Sequence, residues 1–197
     1  MVKKLNLILV QKTLIEKDFS IFSPQEFARI FDVSPSAAQK FIHSYTDKNF
    51  FIKLRNGLYS LEGKTPPVFF IANKLYRPSY ISLETALSHY GIIPEVVYSV
   101  TSVTPNPTAE FDVLDKVYTY TRIKQKAFGG YMTKKENDRT YLIAEPEKAL
   151  ADYLYLVSLG KKTWNDRFYT KGISKEKVRA FGELFERKNL LELIDRL

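Results

Sequence analysis

Ser34-Pro-Ser-Ala-Ala-Gln-Lys-Phe-Ile-His-Ser-Tyr-Thr-Asp-Lys48 is the stretch whose reading decides the fold of the N-terminal part of this chain. Wound at about 100° per residue, it puts Ala38, Phe41, Ile42 and Tyr45 on one side of a helix and Ser36, Gln39, Lys40 and His43 nearly opposite. Both quartets follow the i, i+3, i+4, i+7 spacing. The apolar one gives the helix something to pack on, and the polar one leaves a row of hydrogen-bonding side chains that can read a surface. That division is the layout of a DNA recognition helix.

Working outward, Ser23 offers an N-cap, Pro24 a first-turn residue and Glu26 a carboxylate at the positive end of a helix dipole, so a helix is predicted over residues 24–31. Asp32 and Val33 leave room only for a tight turn before Ser34 and Pro35 start the next helix by the same chemistry. Two helices this close have helix-turn-helix spacing. Downstream, Asn49-Phe-Phe-Ile-Lys-Leu-Arg-Asn-Gly-Leu-Tyr-Ser-Leu61 reads as two β-prone runs around Asn56-Gly57, the pair favoured by a type I′ hairpin turn because both of its central residues need positive φ. A hairpin directly after a recognition helix is a wing. The two-residue period of a strand places Lys53 and Arg55 on one face near its tip, within reach of phosphate or minor groove. Upstream, Leu5, Leu7, Ile8, Leu14 and Ile15 suit a first helix over residues 2–17, ended by Asp18 and the β-prone residues 19–22.

The candidate DNA-binding set is therefore Ser34, Ser36, Ala37, Gln39, Lys40, His43 and Ser44 from the helix, with Lys53, Arg55 and Asn56 from the hairpin. Gln39 suits an adenine edge, and Lys40 suits guanine or phosphate. His43 is equally well read as a solvated helix histidine. The competing interpretation of the whole segment is a small helical bundle with a hairpin, or a winged helix that contacts only proteins.

Composition narrows the partners. With 45% hydrophobic and 26% charged residues among 197, the chain lies in the globular range and is long enough for two small domains. The absence of Cys excludes disulfides and thiolate metal sites, and two His leave little for an imidazole cluster, so no metal or cofactor is expected. A net charge of +8 favours an anionic partner, nucleic acid first. The apolar N-terminal run is broken at Asn6 and is too short for a signal peptide, and no run approaches a membrane span. The expectation is a cytoplasmic protein.

Gly63, Pro66 and Pro67 cannot continue a helix or strand, which predicts two domains, residues 1–64 and 65–197. The second reads as mixed α and β. Helices are predicted over residues 68–75, 83–90 with Ser82 as cap, and 146–159, and a final amphipathic helix follows Ser174. Strands are predicted over residues 98–104, 117–126, 128–133 and 140–144, with a surface turn over 134–139. The strand 117–126 lines up Tyr118, Tyr120, Arg122, Lys124 and Lys126 on one face, and its three cations are candidate phosphate contacts; a solvated strand face is the plainer interpretation. The fold class is α+β, a winged helix-turn-helix followed by an α+β domain.

Catalytic signals are weak. Glu62-Gly-Lys64 and Glu186-Arg-Lys188 occupy the wrong contexts for a nuclease metal site, Asp112 and Asp115 have no Glu-x-Lys mate, and His89 reads as a packing or surface residue. Gly129-Gly130 matches no phosphate-loop fingerprint. No catalytic residues are assigned, and the chain reads as a binding protein.

Two further stretches carry a resemblance. Residues 78–95, Pro-Ser-Tyr-Ile-Ser-Leu-Glu-Thr-Ala-Leu-Ser-His-Tyr-Gly-Ile-Ile-Pro-Glu, and residues 144–152, Ala-Glu-Pro-Glu-Lys-Ala-Leu-Ala-Asp, resemble the abortive-infection type IV antitoxin family, AbiEi. The resemblance covers nearly the whole chain and implies an N-terminal winged helix before a C-terminal antitoxin domain. It implies an autorepressor that binds repeats upstream of its own toxin–antitoxin operon and counters a nucleotidyltransferase-like toxin without a stable complex. It supplies no cofactor and no catalytic residue. On the residues themselves, Ser82 caps a helix, Gly91 ends it, and Lys148 and Asp152 pair at i, i+4 on a helix surface. The alternative is a protein-interaction module that holds a toxin directly, with the winged helix as its docking surface.

Overall fold

Two Ser-Pro steps organise the first unit of the computed structural model, which describes residues 5–197. Ser23 opens α2 (Pro24–Phe31) with a complete capping box: its Oγ accepts from the Glu26 N–H at 3.2 Å, and the Glu26 carboxylate accepts from the Ser23 N–H at 2.7 Å. Asp32, at φ 52°, ends the helix in a left-handed residue. Two residues later the Ser34 Oγ accepts from the Ala37 N–H at 3.2 Å and starts α3 (Pro35–Thr46). Before them, α1 (Leu7–Glu16) begins at Asn6, whose side chain accepts from the Ile8 N–H at 2.9 Å; the predicted start at residue 2 lies outside the described residues. β1 (Ile21–Phe22), β2 (Phe51–Arg55) and β3 (Leu58–Leu61) form an antiparallel sheet in the order β1-β3-β2.

The hairpin forms, but differently from the sequence expectation. Gly57 alone of the Asn-Gly pair has positive φ, 74°, so the turn is not type I′. The register also shifts between Lys53, opposite Tyr59, and Arg55, opposite Leu58. This bulge interrupts the two-residue period at the tip, where Leu54 is buried while Lys53 and Arg55 on either side of it are exposed. The core they cover is aromatic. Phe22, Phe27, Phe31 and Phe51 pack with Val10, Leu14, Ala38 and Ile42, and ring centroids lie 4.5 Å apart for Phe27–Phe31 and 5.3 Å for Phe22–Phe51.

The chain divides into two compact units, Met1–Pro67 and Val68–Leu197. The second holds α4 (Val68–Leu75), β4 (Tyr80–Ile81), α5 (Leu83–His89), β5 (Val100–Thr104), β6 (Ala109–Val113), β7 (Lys116–Arg122), β8 (Tyr131–Glu136), β9 (Arg139–Ala144), α6 (Pro146–Ser158), α7 (Lys175–Glu183) and α8 (Lys188–Asp195). Its six strands form one mixed sheet in the order β6-β7-β5-β4-β9-β8. The pairs β5–β7 and β4–β9 are parallel and the others antiparallel. The molecule is thus a mixed α and β protein with two sheets.

Several local expectations are corrected. The predicted surface turn at 134–139 narrows to Asn137 and Asp138, at φ 45° and 62°, which close the β8–β9 hairpin; Leu114 and Asp115, at φ 53° and 57°, close β6–β7 in the same way. The final helix is two helices, broken at Glu186, φ 50°. β7 stops at Arg122, and Tyr118 and Tyr120 point inward, the Tyr120 hydroxyl donating to the Ala72 carbonyl at 2.6 Å.

The largest correction concerns the motif residues. Lys148 and Asp152 do pair at i, i+4, but with both side chains fully buried rather than on a helix surface. Asp152 also accepts from the Ser82 hydroxyl at 2.8 Å and the Tyr80 hydroxyl at 3.1 Å. Ser82 therefore does not cap α5 with its side chain. Burial raises the Asp152 carboxyl above its ordinary range, opposed by the Lys148 ammonium and the two hydroxyls. The stretches 78–95 and 144–152 thus meet through one buried polar cluster. Removing one charge, by Lys148→Met or Asp152→Leu, is expected to destabilise this unit by about 3–5 kcal/mol, and the double variant to recover most of that loss. Urea unfolding of the three variants checks this; single variants within about 1 kcal/mol of wild type would show that the pair is not a stability determinant.

Candidate nucleic-acid interface

α3 has one packed side and one solvated side. Ala38 and Ile42 are buried in the aromatic core, and Phe41 and Tyr45 pack partly against it. Ser36, Gln39, Lys40, His43 and Ser44 are exposed, while Ala37 is half-buried. The Ser34 hydroxyl is occupied as the cap and lies 3.1 Å from the Ser36 Oγ, so these two serines form one small polar unit at the start of the helix. Lys48, beyond the helix, lies over the Tyr45 ring at 5.1 Å.

On the hairpin, Lys53, Arg55 and Asn56 are all exposed, and the Arg55 guanidinium donates to the Asn56 carbonyl at 3.0 Å, which folds it back over the turn. Among the described residues, the ion pairs do not involve Lys40, Lys53 or Arg55. Their charge is therefore not neutralised internally. A polar helix face and two unpaired cations on a hairpin in the same unit can engage phosphates and base edges together.

The second unit treats its candidate cations differently. Lys124 and Lys126 lie past the end of β7, around a short 3-10 turn (Gln125–Ala127), rather than on a strand face with Tyr118 and Tyr120. Both approach Glu186, at 3.6 Å and 2.8 Å, which holds that carboxyl below its ordinary range. Arg122 and Lys124 also border a cavity of about 450 Å3 with Lys161, a third cation outside the set predicted from sequence. Its one local signal is the position of Lys161-Lys162 just after the helix-ending Gly160.

His89 is placed 3.1 Å from the Lys134 ammonium, with Phe69 and Tyr90 against its ring. This partial burial, and secondarily Lys134, lower its pKa from 6.5. No Ser-His-Asp arrangement includes it. Among the described residues no group of three or more His, Cys, Asp or Glu side chains is placed to hold a metal ion, and no helix is long and apolar enough to cross a membrane.

No family model matches the chain, and no curated protein does. The His89 environment makes a direct prediction: its imidazole titrates below 6.5, and Lys134→Ala moves the midpoint upward. Two-dimensional NMR of the histidine ring across a pH series reads both; a wild-type midpoint at or above 6.5 would contradict the partial burial of the ring, and a midpoint that Lys134→Ala leaves unmoved would contradict the placement of Lys134 against it.

Proposed function

We propose that this protein is an operator-binding transcriptional autorepressor and antitoxin of the type IV, abortive-infection kind. In this reading the first unit is a winged helix-turn-helix, with α3 as recognition helix and the β2–β3 hairpin as wing. The observation that carries it is the complete segregation of α3. Its apolar side is used up in the core, and Ser36, Gln39, Lys40 and His43 are left to solvent in the same unit as the uncompensated Lys53 and Arg55. Any amphipathic surface helix has a polar face, and the unpaired Lys53 and Arg55 in the same unit are what direct this one to an anion. The net charge of +8 supports the same partner, double-stranded DNA.

The second unit's role, countering a nucleotidyltransferase-like toxin, rests on the resemblance of residues 78–95 and 144–152. Arg122, Lys124 and Lys161 offer an additional phosphate contact, tempered for Lys124 and Lys126 by Glu186. The protein acts in the cytoplasm, without cofactor or catalysis. The exposed Ile8, Leu9 and Ile15 of α1 favour a second reading, a module that docks a protein such as the toxin directly. A toxin that copurifies as a stable complex would favour that reading.

Binding to the DNA upstream of the chain's own gene, measured by gel shift across a salt series, tests the proposal. Expected is preference over scrambled DNA, with Lys40→Ala, Lys53→Ala and Arg55→Ala each reducing the salt slope by about 0.9 for every phosphate that the variant no longer neutralises. Equal affinity for scrambled DNA would overturn it.

A further inference from the structure

We propose that the second unit binds a free mononucleotide in the slot where its sheet opens between β4 and β9. β4 is only two residues long and meets β9 only through Ile81 opposite Ile143. The β4–β9 register holds that one pair, while β9 continues back to Arg139. The result is a cavity of about 380 Å3, inside the range of roughly 300–1,000 Å3 usual for small-molecule sites.

The open edge of β9 does not invite a peptide strand. Asn73 of α4 already plugs it: its Oδ1 accepts from the Leu142 N–H at 2.5 Å, and its Nδ2 donates to the Leu142 carbonyl at 3.4 Å. The backbone of Thr140, which also lines the slot, points the same way as that of Leu142 by the two-residue period of the strand. It presents a donor and an acceptor side by side, the arrangement that a base edge matches.

The walls select a flat ring. Phe128 and Tyr131 line the slot, and Tyr141 borders it from the opposite sheet face, its ring packed on Phe69. Phe128 and Tyr131 are backed by the Tyr80 ring, with centroids at 5.2 Å and 4.8 Å, and Tyr80 is held from behind by Asp152. Two aromatic walls are thus braced against a buried polar cluster before any ligand arrives, which reduces the ordering cost of binding. Sequence-tolerant stacking on such rings is how proteins hold bases.

The charge selects an anion. Among the described residues lining the slot Arg77 is the only charged one, and no carboxylate joins it there. Its Nε donates to the Asn73 carbonyl at 3.1 Å, which fixes the plane of the guanidinium and leaves its two terminal nitrogens for a ligand. Such a fork suits a phosphate. An uncharged aromatic compound would not use Arg77, and inorganic phosphate would not use the Phe128 and Tyr131 rings. A nucleoside monophosphate uses both.

Calorimetric titration of the full chain tests this with AMP, CMP, adenosine, inorganic phosphate and a short single-stranded oligonucleotide. Saturable binding of AMP or CMP is expected, with adenosine and inorganic phosphate each weaker by about tenfold or more, the loss of one charge-assisted pair or of the stacking. Arg77→Met should bring AMP down to the affinity of adenosine, and Tyr131→Ala should weaken both. Arg77 is exposed, so its variant is expected to unfold at the wild-type temperature. Absence of saturable AMP and CMP binding at millimolar concentration would overturn the proposal. So would binding that Arg77→Met leaves unchanged, or binding of the oligonucleotide alone. Operator binding by the first unit is read by a different assay, and neither result decides the other.

Discussion

The buried ion pair between Lys148 and Asp152 constrains the second unit more than any other interaction. A fully buried ammonium and carboxylate carry a desolvation cost that only close pairing and further hydrogen bonds offset. Ser82 and Tyr80 supply those bonds from β4 and its end, so the start of α6 and the middle of the sheet are tied at one point. The consequences spread outward. Ser82 gives up its capping role, and Leu83 turns into α5 with φ at 56°, a conformation costly for a side chain of its kind. Gly130 passes so close to Phe181 and to the Lys148 stem that a Cβ there would lie 2.5 Å from the phenylalanine ring. The chain on either side of that glycine delivers Phe128 and Tyr131 against Tyr80. The polar cluster thereby shapes the aromatic slot beside it.

The first unit depends on a different principle. Its core is a knot of phenylalanines drawn from α2, β1 and β2, and α3 is anchored to it by the small Ala38 and by Ile42. Anchoring through one narrow face frees the remainder of the helix for contacts elsewhere. Local capping then determines where that helix starts, and the short span between Phe31 and Pro35 determines that α2 and α3 meet through a tight turn. Unpaired cations remain on the hairpin, whereas in the second unit Lys124 and Lys126 answer to Glu186. A cation counted in the sequence is therefore not equally available in the two units.

Legibility follows how local the chemistry is. The Ser23-Pro24 and Ser34-Pro35 steps specify the starts of α2 and α3 to the residue, because a cap bonds only to the next three N–H groups. α4 and the start of α6 also fall where the sequence places them, α6 opening on Pro146 without a side-chain cap bond. Turn type is harder. Asn56-Gly57 has the composition of a type I′ turn, yet the register shifts at Lys53–Arg55 and only Gly57 is left-handed, while left-handed pairs close the β6–β7 and β8–β9 hairpins at Leu114-Asp115 and Asn137-Asp138, neither of which carries a glycine. A stripe of Tyr and cations also misleads. Periodicity identifies a face but not its neighbour, and Tyr118 and Tyr120 are core residues.

The helix starts, the mixed α and β character, the break near Pro66-Pro67 and the two-faced pattern of residues 34–48 are all written in the amino-acid order, because backbone sterics and hydrogen bonds a few residues long dictate them. Which charges remain available is a matter of the folded chain alone. Glu186 lies 60 residues from Lys126, and Asp152 lies 70 from Ser82. Pairings at that range depend on how helices and sheet pack, and packing is settled by the fit of many side chains together rather than by the spacing of any one motif.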